Sequence, residues 1–241
     1  MKIAIINLGS VSDNIASTSI IRGIKKQSIN SDITFITNPE CVDVYKHNKN
    51  VGRIISFDEF KDKKYFYDLL INLYPILPET DCPNIHLSEA IGFNFCKEYD
   101  EFKDVFLGKK EYNINIFQLY YKLSGLTWKG EGYDLNYYPR SKSKKNRVGI
   151  VVANANLRNY VLDKLKLDNS KVWNLPYKKN VFKKMDEINK CKRIITDDLS
   201  IFHLAISLRK YVYFLKTFPL NLKLELFKSG EIYEVPLNII A

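Results

Sequence analysis

The stretch KIAIINLGSVSDN, residues 2–14, decides how the rest of the chain is read. Its apolar run, Ile3–Leu8, has the length of a strand and stops at Gly9, a residue that permits a tight turn. Beyond the glycine, Ser12 or Asp13 can cap a helix. From Asn14 to Gln27 the apolar residues Ile15, Ile20, Ile21 and Ile24 recur at near-helical spacing, with Arg22, Lys25 and Lys26 on the other side. Strand, glycine turn and amphipathic helix are how a parallel α/β sheet begins.

Working outward, the same alternation continues. Asp32–Thr37 reads as a second strand, Pro39 opens a short helix through Tyr45, Val51–Ser56 is a third strand and Asp68–Leu73 a fourth. A loop with Pro75, Pro78 and Pro83 follows, then helices near Leu87–Ile91 and Ile114–Leu123. The segment 130–145 holds glycine, proline, serine and a charge run, which disfavour a regular element and mark a boundary. Past it the alternation restarts. Arg147–Ala153, Lys171–Leu175, Arg193–Thr196, Tyr211–Leu215 and Ile232–Val235 read as strands, with helices at Leu157–Leu165, Asn180–Asn189 and Ile201–Leu208. The expected organisation is a Rossmann-like domain over 1–139, a linker over 140–146 and a second Rossmann-like domain over 147–241, facing each other across a central cleft. In open α/β sheets ligands bind beyond the carboxyl ends of the strands, so the strand-to-helix turns carry the chemistry.

Composition narrows the partners. The 241 residues include 46% hydrophobic residues, enough for a buried core. Ile3–Leu8 is too short for a signal peptide, and no segment approaches the roughly 20 apolar residues of a membrane span. Cys41, Cys82, Cys96 and Cys191 lack CxxC spacing and His47, His86 and His203 are scattered, so neither a zinc cluster nor a disulfide framework is readable. A reducing cytoplasmic location is expected. The formal charge of +10 is concentrated: residues 140–193 carry sixteen Lys/Arg against four Asp/Glu, and the rest of the chain sums to −2. Such a region is either a solvated lysine-rich surface or a face for a phosphate-rich partner, whether nucleotide, anionic membrane or nucleic acid.

Two turns hold the candidate chemistry. In Gly9–Asn14, Asp13 is either a helix cap or a carboxylate able to take the proton of an attacking hydroxyl; the helix dipole is expected to lower its pKa. In Thr196–Ala205, Asp197 and Asp198 end a strand, and His203 follows five residues after Asp198. That turn can present backbone N–H groups to a phosphate and a carboxylate to a sugar hydroxyl, or it can be an Asp cap with a buried histidine.

Together, KIAIINLGSVSDNIASTSIIRGIKK with DITFITNPECVDVYKHNKNVGRIISFD and YDLLINL, and CKRIITDDLSIFHLAISLRKYVYFL, resemble the two signatures of glycosyltransferase family 9, the ADP-heptose:lipopolysaccharide heptosyltransferases. The resemblance implies a GT-B fold whose first domain binds the acceptor and whose second binds a nucleotide sugar, ADP- or UDP-linked. It also implies inverting transfer with no bound metal and no further cofactor. On that reading Asp13 is the catalytic base, with Ser10, Ser12 and Asn14 as acceptor contacts. Asp198, Leu199, Ser200, His203, Lys216 and Thr217 fall on donor positions. The family's lysine after the first strand of the second domain has no clear match, and Asn154, Asn156 and Arg158 are the nearest substitutes. Leu199 and Ser200 stand where the family keeps Ser or Thr and then Gly. The acceptor implied is a saccharide of a surface glycan. Two other readings stay open: a glycosyltransferase acting on nucleic acid through the basic 140–193 region, and a binding protein that kept the fold without the chemistry.

Overall fold

Strand β1 (Lys2–Asn7) is buried from Ile3 onward, as a strand covered by helices on both faces must be. The computed structural model describes residues 1–62, 65–74, 85–87, 104, 109, 112–142, 147–176, 178–218, 220, 222–236 and 239. The chain forms two compact units, Met1–Asn136 with Leu220–Glu225, and Tyr137–Pro219 with Leu226–Ala241.

In the first unit β1 pairs in parallel with β2 (Asp32–Thr37) and, on its other flank, with β5 (Leu69–Asn72). Strand β3 (Arg53–Ser56) lies outside β2, giving the order β3-β2-β1-β5. The helix expected from Asn14 to Gln27 is two helices, α1 (Val11–Ser17) and α2 (Ser19–Gln27). They part at Thr18, whose hydroxyl donates to Ile15 O at 2.8 Å, a back-bond that bends helices. Helix α2 buries Ile20, Ile21 and Ile24 and leaves Arg22 and Lys26 exposed, as its spacing requires. Pro39–Tyr45 forms a 3₁₀ helix. Helix α3 (Phe57–Asp62) and strand β4 (Tyr65–Tyr67), which pairs with β6 (Ile85–Leu87), were not legible from periodicity. Of the helix expected at Leu87–Ile91, Leu87 belongs to β6 and the remainder lies outside the described residues, as do Pro75, Pro78 and Pro83. Strand β7 (Tyr112–Asn115) leads into α4 (Ile116–Leu123), which begins on an Asn115–Gln118 capping box.

In the second unit, β8 (Val148–Val151), β9 (Val172–Asn174), β10 (Arg193–Thr196), β11 (Tyr211–Lys216) and β13 (Gly230–Glu234) form a parallel sheet in the order β13-β11-β10-β8-β9. Helices α5 (Ala155–Lys164), α6 (Val181–Asn189) and α7 (Leu199–Ser207) are its connections. The short strand β12 (Leu222–Lys223) pairs instead with β7 and so belongs to the first unit.

Strand order locates the crevices. The first sheet runs outward from β1 to β2 to β3 and resumes on the other flank at β5. The second runs from β8 to β9, then returns past β8 to β10, β11 and β13. The order therefore reverses between β1 and β5 in one unit and between β8 and β10 in the other. At such switch points the loops diverge and leave a crevice outside the carboxyl ends of the strands.

Candidate functional site

The turn after β1 lies at the first switch point. Its cap is Ser10, not Ser12 or Asp13: Asp13 is the third helical residue and completes a capping box with Ser10. Asp13 Oδ2 accepts from the Ser10 amide at 2.8 Å and from the Ser10 hydroxyl at 2.7 Å. Asp13 Oδ1 has no partner among the described residues. One oxygen thus closes the helix end while the other stays open. Gly9 makes this possible by close approach: a Cβ at residue 9 would lie 2.7 Å from Asp13 Cβ and 2.8 Å from Oδ2. The expected dipolar lowering of the Asp13 pKa is reversed. Burial of the carboxyl raises it above the usual carboxylate value, outweighing the two Ser10 bonds that lower it.

Beneath the turn lies a buried polar network. Asn14, read from the sequence as an acceptor contact, is wholly buried. Its amide donates to Gly9 O and Ser10 O, each at 3.0 Å, and its Oδ1 accepts from Thr37 Oγ1 and Tyr45 Oη, each at 2.7 Å. It holds the turn and has no face left for a ligand. Ser10 is exposed and Ser12 half-buried, their hydroxyls 2.7 Å apart. Asn7 Oδ1 accepts from Gly9 N at 3.0 Å, and Asn7 Nδ2 donates to Asp13 O at 3.3 Å. The signal that could have found Asn7 was an amide in an otherwise apolar strand. The Tyr120 hydroxyl on α4 is buried and makes no hydrogen bond among the described residues. Burial first, then the Asp13 charge, pushes its pKa well above the usual phenol value.

At the second switch point two helix N-termini lie side by side, because β8 and β10 are neighbours. Asn154 caps α5, accepting from Leu157 N at 2.8 Å. Asp198 caps α7 with Oδ1 alone, accepting from Ser200 N at 2.7 Å, Ser200 Oγ at 2.6 Å and Ile201 N at 3.0 Å. Asp198 Oδ2 and the amides of Ala155, Asn156 and Leu199 have no partner among the described residues. Asp197, passed over in favour of Asp198, ties the two loops together by accepting from Ala153 N at 3.1 Å; burial raises its pKa.

The other expected donor residues divide. His203 is buried on α7, edge-on to Phe202, and desolvation lowers its pKa to about 3, which keeps the side chain neutral. Ser200 is also buried, its hydroxyl on Asp198. Arg158 donates to Asn169 Oδ1 at 2.9 Å, and Lys216 pairs with Glu234 at 2.9 Å. Asn156 is exposed, and Leu199 and Thr217 are half-buried. A cavity of about 110 Å³ beside the Asp198 turn is lined by the apolar Val151, Leu175, Ile188 and Ile201 and by the charged Lys178, Lys184 and Glu187. Among the described residues no three His, Cys, Asp or Glu side chains gather into a metal-binding group, and no helix is long and apolar enough to cross a membrane.

The sequence matches no known family and no curated protein. Solved structures nevertheless share the fold. Escherichia coli heptosyltransferase WaaC, solved with ADP-2-deoxy-2-fluoro heptose, superposes with a TM-score of 0.62 at 10% identity, over 100% of this chain and 95% of that one. A glycosyl transferase family 9 protein from Veillonella parvula gives 0.66 at 14% identity, over 97% and 86%. The E. coli ADP-heptose lps heptosyltransferase II gives 0.63 at 12% identity, over 98% and 91%. The α/β architecture expected from the sequence is thus that of these glycosyltransferases.

Proposed function

We propose that the protein is a glycosyltransferase that moves a sugar from a nucleotide-sugar donor to a hydroxyl of a surface glycan, with Asp13 as general base. The observation that carries this reading is the free Oδ1 of a carboxylate whose other oxygen is fixed by the Ser10 capping box at a sheet switch point. A carboxylate with a raised pKa is the stronger base, and it is ionised once the pH exceeds that value. As the acceptor oxygen attacks the anomeric carbon, its proton passes to Asp13. The bond from that carbon to the diphosphate breaks with its electron pair on the diphosphate, so attack from the opposite face inverts the centre. The family resemblance supplies inversion and independence from metal.

The second unit fits the donor. Amides of Ala155, Asn156 and Leu199, at the starts of α5 and α7, are free to meet diphosphate oxygens. Their number offsets the loss of the family's glycine at Ser200. The apolar cavity beside Asp198 suits a flat base oriented by a few polar contacts, and Asp198 Oδ2 suits a ribose or sugar hydroxyl.

The test is transfer, or donor hydrolysis, across a panel of ADP- and UDP-sugars. Asp13→Asn is expected to keep donor affinity and lose about 10²- to 10⁴-fold in kcat, the usual contribution of a general base. Equal turnover in the variant refutes the role of Asp13.

A further inference from the structure

The basic surplus of the second unit has an order that appears only in the sheet. The pairings Val148↔Val172, Arg193↔Val148, Arg193↔Tyr211 and Val212↔Gly230 fix the register of all five parallel strands. Carried back to the level just before β8, that register aligns Lys228, Lys210, Lys192, Arg147 and Lys171, one basic residue for each strand in spatial order. At about 4.8 Å between neighbouring strands the row is about 19 Å long. Lys210 turns inward onto Asn189 O at 3.0 Å, and the exposed cation at that strand is its neighbour Arg209.

Complementing helix C-termini explains only part of this row. Arg147, Lys171 and Lys228 do not follow an α-helix directly. The first unit, built the same way, has no such row: Lys2 there is aligned with Asp32 and bonded through its amide to Asp68. Arg209 and Lys228 also hold positive φ angles, +54° and +62°, where glycine is the unstrained choice. The acidic groups nearby are engaged: Glu231 accepts from Tyr211 and Tyr233, Asp168 caps a 3₁₀ turn, and Glu187 pairs with Lys190. Among the described residues, Lys171, Lys192, Arg209 and Lys228 make no ion pair.

We propose that this amino edge of the second sheet docks on an anionic membrane surface, its row of cations meeting lipid phosphates. The geometry favours a plane over a nucleic-acid groove, because the helices between the strands end at this edge instead of projecting from it. Trp173 on the edge strand β9 adds an interfacial aromatic, half-buried under Arg147 at 4.5 Å and near Lys190 at 5.6 Å.

The experiment is sedimentation of the full chain with vesicles of phosphatidylcholine alone or mixed with phosphatidylglycerol, at low and physiological salt. Binding is expected to the anionic vesicles only, and to weaken as salt rises. The double variant Arg209→Gly/Lys228→Gly relieves both positive φ angles, so it should remain folded. It should bind about 25-fold more weakly, from about fivefold per surface cation. Lys49→Ala/Lys129→Ala removes the same charge from exposed sites on the first unit and should bind like the parent. Absence of binding at low salt overturns the proposal, as does equal weakening by the two double variants. Tighter binding of a single- or double-stranded oligonucleotide, with the same sensitivity to Arg209 and Lys228, overturns it in favour of nucleic acid.

Discussion

Replacing Asn14 by alanine separates a structural amide from a ligand contact. The side chain makes four hydrogen bonds in a site with no solvent exposure, two given to Gly9 O and Ser10 O and two taken from Thr37 and Tyr45. A typical buried bond contributes about 0.5–1.5 kcal/mol net, which puts the four at roughly 2–6 kcal/mol. Thr37 and Tyr45 retain second partners in Asn7 O and Ser17, at 2.9 Å each, which favours the lower half of that range, about 2–4 kcal/mol. For a chain of this size each kcal/mol lowers Tm by about 2–4 °C, so Asn14→Ala should melt roughly 5–15 °C earlier in calorimetry. Asn14→Asp should not rescue it, because a carboxylate oxygen would then face the Gly9 and Ser10 carbonyls. Ser12→Ala, which loses one exposed hydroxyl contact, should stay within about 0.5 kcal/mol of the parent. An Asn14→Ala protein with unchanged Tm and a raised KM for the acceptor would refute the reasoning and restore Asn14 to the acceptor site.

Four further outcomes follow from the same geometry. Gly9→Ala drives a methyl to 2.7 Å from Asp13 Cβ, so it should cost about 1–3 kcal/mol in urea unfolding and, by displacing the carboxylate, lower kcat by about 100-fold while donor KM holds. Asp13→Asn should be the more stable protein at neutral pH by calorimetry. Folding raises the Asp13 pKa from 3.8, so the parent loses stability as pH rises from 3.8 through the raised value, and a neutral amide does not. His203 has the opposite sign in acid: the unfolded chain protonates near 6.5 and the folded one near about 3, so stability is whole above 6.5 and drains as pH falls between them. His203→Leu should flatten that slope in acid unfolding curves, whatever its effect at neutral pH. Asp197→Ala frees Ala153 N and unties the loops at the second switch point, so calorimetric nucleotide affinity should fall about tenfold with the first unit's melting unchanged.

The strands of both sheets were legible because strands covered on both faces must be apolar at their centres, as Ile3–Ile6 and Ile194–Ile195 are. Strand order, and with it the switch points, was not legible: nothing local in Leu69–Asn72 says that it pairs with β1 and not β3. Turn chemistry was half legible. Ser10, Ser12 and Asp13 all suit a helix start, and only the position of Gly9 against Asp13 Cβ decides which of them caps. The burial of His203 and Asn14 was not legible for one reason. A polar side chain in a helix looks the same in sequence whether it faces solvent or completes a buried network. The basic row escaped because its neighbouring members are 18 to 45 residues apart in sequence and adjacent only through strand pairing.

The two turns resolve the opposition between capping and chemistry in the same way. In Asp13 every bond falls on Oδ2, and in Asp198 every bond falls on Oδ1, so each carboxylate spends one oxygen on its helix and leaves the other unengaged. Under the proposed function, capping is also the means of positioning: the bonds that end the helix fix where the second oxygen points before any substrate arrives. This division explains why Asp13→Asn is the sharp substitution. The groups bonded to Oδ2 are donors, so asparagine will turn its carbonyl to them and keep the cap. Its NH₂ then occupies the open position, where it can donate a hydrogen bond but cannot accept the proton of an attacking hydroxyl. Asp13→Ala would lose cap and base together and confound folding with catalysis. At Asp198 asparagine keeps the cap in the same way but puts a donor in place of the unengaged Oδ2. The parallel substitution there should therefore raise donor KM and leave kcat near the parent's, the reverse of the pattern at Asp13.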